Sequence, residues 1–68
     1  MKLEKTANKA QKQRKEIETD LTMIDNAMFL SDTSLAIKYC NSIIKRANIM
    51  LSLFKECDEM MKNVHFAH

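Results

Sequence analysis

Apolar residues recur at alternating spacings of four and three along nearly the whole chain, and the rhythm is interrupted once. In the first segment Leu3, Ala7, Ala10, Ile17, Leu21, Ile24 and Met28 follow it, with Arg14 the single polar residue in the stripe. In the second, Ala36, Cys40, Ile43, Ala47, Met50, Phe54, Cys57, Met61 and Val64 do the same. A ladder of this kind is one stripe of a helix and the seam of a coiled coil. Between the two stripes lies Ser31-Asp32-Thr33-Ser34. Such side chains compete for backbone hydrogen bonds and cap helix starts, and the Asp32 charge suits the positive end of a following helix. The chain holds no glycine and no proline, so tight turns and strands have little to be built from and unbroken helices are favoured. The pattern predicts an all-α chain with helices near 3–30 and 33–65, one helical-hairpin domain over residues 1–68. At 1.5 Å per residue the helices are about 40 and 50 Å long, and so short a connection makes them antiparallel neighbours.

The register is predictable too. A turn centred near residue 32 brings together positions whose numbers sum to about 64: Leu3 with Met61, Ala7 with Cys57, Ala10 with Phe54, Ile17 with Ala47, Leu21 with Ile43, Ile24 with Cys40 and Met28 with Ala36. Small faces large at several of these levels, as close packing requires. Charge follows the same register. Residues 1–15 carry Lys2, Lys5, Lys9, Lys12, Arg14 and Lys15 against Glu4, a balance of +5. Residues 16–32 carry Glu16, Glu18, Asp20, Asp25 and Asp32 and no base, a balance of −5. The expected cross-pairs are Lys9 with Glu56, Lys5 with Glu59, Glu18 with Arg46, Asp20 with Lys45 and Asp25 with Lys38, each contributing a few tenths of a kcal/mol if exposed, on the order of surface ion pairs. A basic start and an acidic end oppose the dipole of the first helix, so it depends on the second to form.

The second helix is apolar well beyond one stripe. Ile37, Ile44 and Leu51 form a row on one flank, and Leu35, Tyr39, Ile49, Leu53 and Met60 lie on the other. Met23, Ala27, Phe29 and Leu30 are expected to point away from the seam at the end of the first helix. A helix apolar over most of its circumference is normally buried on more than one side, and one narrow partner does not supply that. The eight residues of the two α2 flanks are therefore the candidate partner-binding set. The partner is the chain itself, in a homodimer or larger assembly closing a four-helix bundle, or another protein, with the hairpin as adaptor, chaperone or inhibitor.

Chemistry-bearing motifs are absent from the sequence: no glycine-rich phosphate loop, no Ser-His-Asp arrangement and no closely spaced cysteine pair. Cys57, Met61, His65 and His68 share one helical face, but the first two fall in the core stripe and the histidines on the chain end, so no metal, cofactor, small-molecule substrate or catalytic residue is expected. Arg14, opposite Met50, either sets register or lays its stem along apolar surface with its head in solvent. Cys40 and Cys57 read as free thiols acting as small buried hydrophobes in a reducing cytoplasm. No apolar stretch has the length of a membrane span or a secretory signal. Lys5, Lys9, Lys12 and Lys15 recur every three or four residues, a basic ridge able to follow phosphates but without interleaved aromatics for base stacking.

In length, turn position and the early Glu4-Lys5-Thr6-Ala7, the chain resembles the plasmid copy-number protein Rop, an RNA-binding hairpin dimer. That resemblance implies a regulatory hairpin dimer holding RNA on the basic face of residues 2–15. Most of the first helix departs from it, and the exposed aromatic that family uses for RNA has no counterpart. The layout is also similar to small two-helix co-chaperones of type III secretion needles, without a shared motif. The reading that follows is a non-enzymatic, self-associating interaction protein, with the RNA-binding hairpin as the alternative.

Overall fold

The computed structural model describes the backbone of residues 2–66 and the side chains of residues 3–62. Helix α1 runs Lys2–Phe29 and helix α2 runs Thr33–Phe66, and the two pack side by side as an antiparallel hairpin. The expected ends, near 3–30 and 33–65, agree to within a residue.

The turn is built from two residues with overlapping duties. Ser31 takes a left-handed backbone conformation (φ 55°). The Ser31 N–H donates to the Met28 carbonyl at 3.1 Å and the Asp32 N–H donates to the Ala27 carbonyl at 2.8 Å. This is the paired bonding of a Schellman motif, which satisfies carbonyls that the end of a helix leaves free. Asp32 then opens α2: its Oδ1 accepts from the Leu35 N–H at 3.0 Å and its carbonyl accepts from the Ala36 N–H at 3.1 Å. One side chain thus caps an orphan donor and places a negative charge at the positive end of α2.

Very little is buried between the helices. Among the described residues, the buried apolar side chains are Ala10 (3% exposed) and Ala27 (0%), and no large side chain is fully buried. The hairpin is 56 Å long and 15 by 11 Å across, with a radius of gyration of 16.1 Å. A compact domain of this length would have about 11 Å.

The packed seam differs from the expected one by one row in each helix. With Leu3 and Ala36 as heptad position a, the expected stripes occupy a and e. The buried and half-buried residues instead occupy a and d, Thr6, Ala10, Gln13, Ile17, Asp20, Ile24 and Ala27 in α1, and Ala36, Tyr39, Ile43, Arg46, Met50, Leu53, Cys57 and Met60 in α2, with Glu16, Met23, Leu35 and Ser42 half-buried on the adjoining g row. The e residues Ala7, Arg14, Leu21, Met28, Cys40, Ala47, Phe54 and Met61 are exposed. Ala27 is therefore at the centre of the contact rather than outside it, and Cys40 is an exposed thiol rather than a buried one. The physical reason is that both ladders share the a row, so counting apolar residues favours e. The d row wins because Thr6 and Ala27 let the backbones approach closely, and because its polar members pair with one another and with the adjoining Glu16 and Ser42. Asp20 accepts from Ser42 Oγ at 2.7 Å, and Arg46 pairs with Glu16 at 2.8 Å and donates to Gln13 at 3.1 Å.

Replacing Ser31 with glycine should raise stability by about 0.5–1 kcal/mol, because glycine enters the left-handed region without a Cβ clash. Asp32→Ala should lower it by about 1 kcal/mol through loss of the cap. Urea unfolding followed by circular dichroism measures both; a destabilised Ser31→Gly would show that the serine side chain itself holds the turn.

Candidate interaction surface

Because the helices are antiparallel, the e rows of α1 and α2 lie on the same side of the hairpin. Leu21 and Met28 from α1 stand there beside Cys40, Ala47, Phe54 and Met61 from α2. The b row of α2, one step further round, adds Ile37, Ile44 and Leu51. Ile37, Ile44, Leu51, Phe54 and Met61 are each 52–62% exposed. Along α2 the b and e rows merge into a second ladder, Ile37, Cys40, Ile44, Ala47, Leu51, Phe54, Asp58 and Met61, with the same alternating spacing as the seam. Only Asp58 interrupts it. Near the turn the face ends in a shallow dent of about 290 Å³ lined by Ala27, Met28, Ser31, Asp32, Thr33 and Ala36.

The opposite flank is polar. Lys5, Lys9 and Lys12 stand exposed along it, with Lys15 on the outer side of α1. An open groove of about 460 Å³ runs between the helices there, lined by Gln13, Lys38, Asn41, Ser42, Lys45 and Arg46 together with Ile49. Arg46 organises its floor. The guanidinium lies between Glu16 (2.8 Å) and Asp20, which is only 7% exposed, with Nε 3.4 Å from the Asp20 carboxylate. That Nε is buried and makes no directed hydrogen bond, so its relation to Asp20 is one of charge rather than alignment.

The structure divides the eight candidate partner-binding residues. Ile37, Ile44 and Leu51 are exposed together on the apolar flank, and Ile49 is exposed at the edge of the polar groove. Leu35 is half-buried, and Tyr39, Leu53 and Met60 are half-buried in the seam. Leu53 and Phe54 thus exchange their expected places: Leu53 packs between the helices, and Phe54, expected in the seam, stands on the open face. The expected ion pairs are also redistributed. Among the described residues Arg46 joins Glu16 and Asp20, Glu18 pairs with Arg14 at 2.9 Å along α1, and Lys62 pairs with Asp58 at 3.2 Å along α2. None of the five expected cross-pairs is formed among them. Arg14 therefore lies on the surface, and the polar seam residue facing Ile17 is Arg46. The signal in the sequence was there: Gln13 and Asp20 fall seven apart on one row of α1, and Arg46 falls at their level on α2.

Among the described residues no group of three or more His, Cys, Asp or Glu could hold a metal ion. The side chains of His65 and His68 lie outside the described residues. Both thiols are free. Among the described residues no helix is long and apolar enough to cross a membrane. No family model, curated protein or solved structure matches the chain.

Arg46→Ala should cost about 1–3 kcal/mol, since it leaves the Asp20 carboxylate buried with Ser42 alone. Asp20→Asn in the Arg46→Ala background should recover part of the loss. Chemical denaturation of the two single variants and the double variant gives the coupling; strictly additive effects would mean that the two side chains do not act on each other.

Proposed function

We propose that the chain is a small non-enzymatic helical interaction module, an adaptor, chaperone or regulator, which binds another protein chain through the apolar flank of the hairpin and so completes a four-helix bundle. The observation that carries this reading is the imbalance between inside and outside. Among the described residues the buried apolar side chains between the helices are two alanines, whereas Ile37, Ile44, Leu51, Phe54 and Met61 stand at least half exposed on one face. Covering a half-exposed large apolar side chain contributes on the order of 1 kcal/mol. Five of them amount to roughly the lower end of a domain's whole stability. A face of this kind, left in water, is one that monomers seldom keep. The reading includes a cytoplasmic setting, in which the two free thiols stay reduced.

A second use is supported by the other flank. Lys5, Lys9, Lys12 and Lys15 are exposed and are in no ion pair among the described residues. They lie away from the apolar face, so phosphate binding on the ridge, as in an RNA-binding hairpin, does not compete with protein binding.

Photo-crosslinking from single benzoylphenylalanine substitutions in the native host separates these readings. Substitution at Phe54 or Leu51 should yield a protein crosslink, and substitution at Lys9 should yield none. Crosslinks from Lys9 to RNA, with none from Phe54 or Leu51, would transfer the function to the basic ridge.

A further inference from the structure

Building on that reading, we propose that the chain covering the apolar flank is a second copy lying the opposite way round. In this arrangement α2 packs on α2 and α1 on α1, and each turn sits over the other copy's open end. The exposed ladder on α2 is the reason for choosing α2 against itself. Read against a reversed copy about a twofold axis near residue 49, Ile37 meets Met61, Ile44 meets Phe54 and Ala47 meets Leu51, with Cys40 opposite Asp58. Apolar meets apolar at three levels of four, and small meets large at the centre, as interdigitation requires.

The corresponding rows of α1 are not apolar. They read Glu4, Ala7, Gln11, Arg14, Glu18, Leu21, Asp25 and Met28. Here α1 against a reversed α1 is also the better match. The contacts Asp20–Ser42 and Glu16–Arg46 put residue 49 level with about residue 13 of α1. The axis therefore passes between Gln11 and Arg14. About that axis Arg14 of each copy, paired within its own chain with Glu18 at 2.9 Å, meets Gln11 of the other, a polar pair at the centre, and Glu18 meets Ala7.

The alternative dimer, with both turns at one end, puts α2 on α1. It sets Ile44 against Glu18, Ile37 against Asp25 and Ala47 against Arg14, burying charges on apolar side chains at a penalty of several kcal/mol for each unpaired one. Size also fits the proposed occupant. The broad face of the hairpin measures 56 by 15 Å, an outline close to the roughly 800 Å² per partner of a stable interface. The dent at the turn lies beside Ile37, where the second copy's Met61 would end.

The test uses the full chain with Ser34→Cys as the label site, an exposed position on the outer side of α2, and with Cys40→Ala and Cys57→Ala to remove the native thiols. Sedimentation gives the mass, and pulsed electron resonance gives the distance between the two nitroxides. The expected result is a dimer with labels about 45 Å apart, from the axial separation at 1.5 Å per residue. A dimer with labels within about 25 Å would overturn the reversed arrangement and leave the binding face as read. A helical monomer at 100 μM would overturn self-pairing, leaving the binding face to the crosslinking test. A dimer that survives Ile44→Glu together with Leu51→Glu would overturn both, because the interface would then lie on another face.

Discussion

The seam between α1 and α2 is made of small and polar side chains, and the rest of the molecule follows from that. Ala10, Ala27 and Thr6 let the helices approach, and Gln13, Glu16, Asp20, Ser42 and Arg46 fill the middle of the contact with a network that satisfies most of its own groups. A polar network of this kind fixes which rows face each other, because any rotation of either helix leaves a charge without its partner. It contributes little apolar burial. Large apolar residues that a core would normally take up are displaced one row outward, where Leu21, Met28, Ile44, Leu51, Phe54 and Met61 form a face of their own.

The hairpin, its turn and its approximate register were legible in the sequence, because each rests on local chemistry. Ser31 and Asp32 break the apolar rhythm, and the absence of proline and glycine leaves nothing else to stop a helix. The choice of seam was not legible from apolar counting. Leu3, Ala10, Ile17 and Ile24 belong equally to two ladders, one completed by Leu21 and Met28 and the other by Asp20 and Ala27. Hydrophobicity favours the first and complementarity across the seam decides for the second. Complementarity is a property of two helices at once, which a single stripe does not reveal. The same rotation moved Leu53, Tyr39 and Met60 into the seam and Phe54 out of it, so the candidate surface was half legible: the Ile37, Ile44 and Leu51 row stands where the pattern put it, and its Phe54 and Met61 neighbours were hidden by their fit to the wrong ladder.

The two flanks differ in kind, which bears on how the molecule could be used. One is an apolar ladder that water disfavours, and its burial is non-directional and insensitive to salt. The other carries Lys5, Lys9 and Lys12 beside a groove floored by Arg46, and any anion held there would be released as salt rises. Separation of the two on opposite sides of a hairpin only two helices wide allows a protein partner on one side while the other stays open to solvent.

Hydroxyl-radical footprinting across protein concentration tests most directly whether the apolar flank is covered in solution. Phe54, Met28 and Met61 report on the face, and Phe29, 89% exposed on the outside of the turn, serves as the internal reference. Covering by a second chain predicts that oxidation of Phe54 and the two methionines falls several-fold between nanomolar and high micromolar protein, while Phe29 is unchanged. Oxidation of Phe54 and the two methionines that keeps a constant ratio to that of Phe29 at every concentration, in a chain that remains helical, would contradict it.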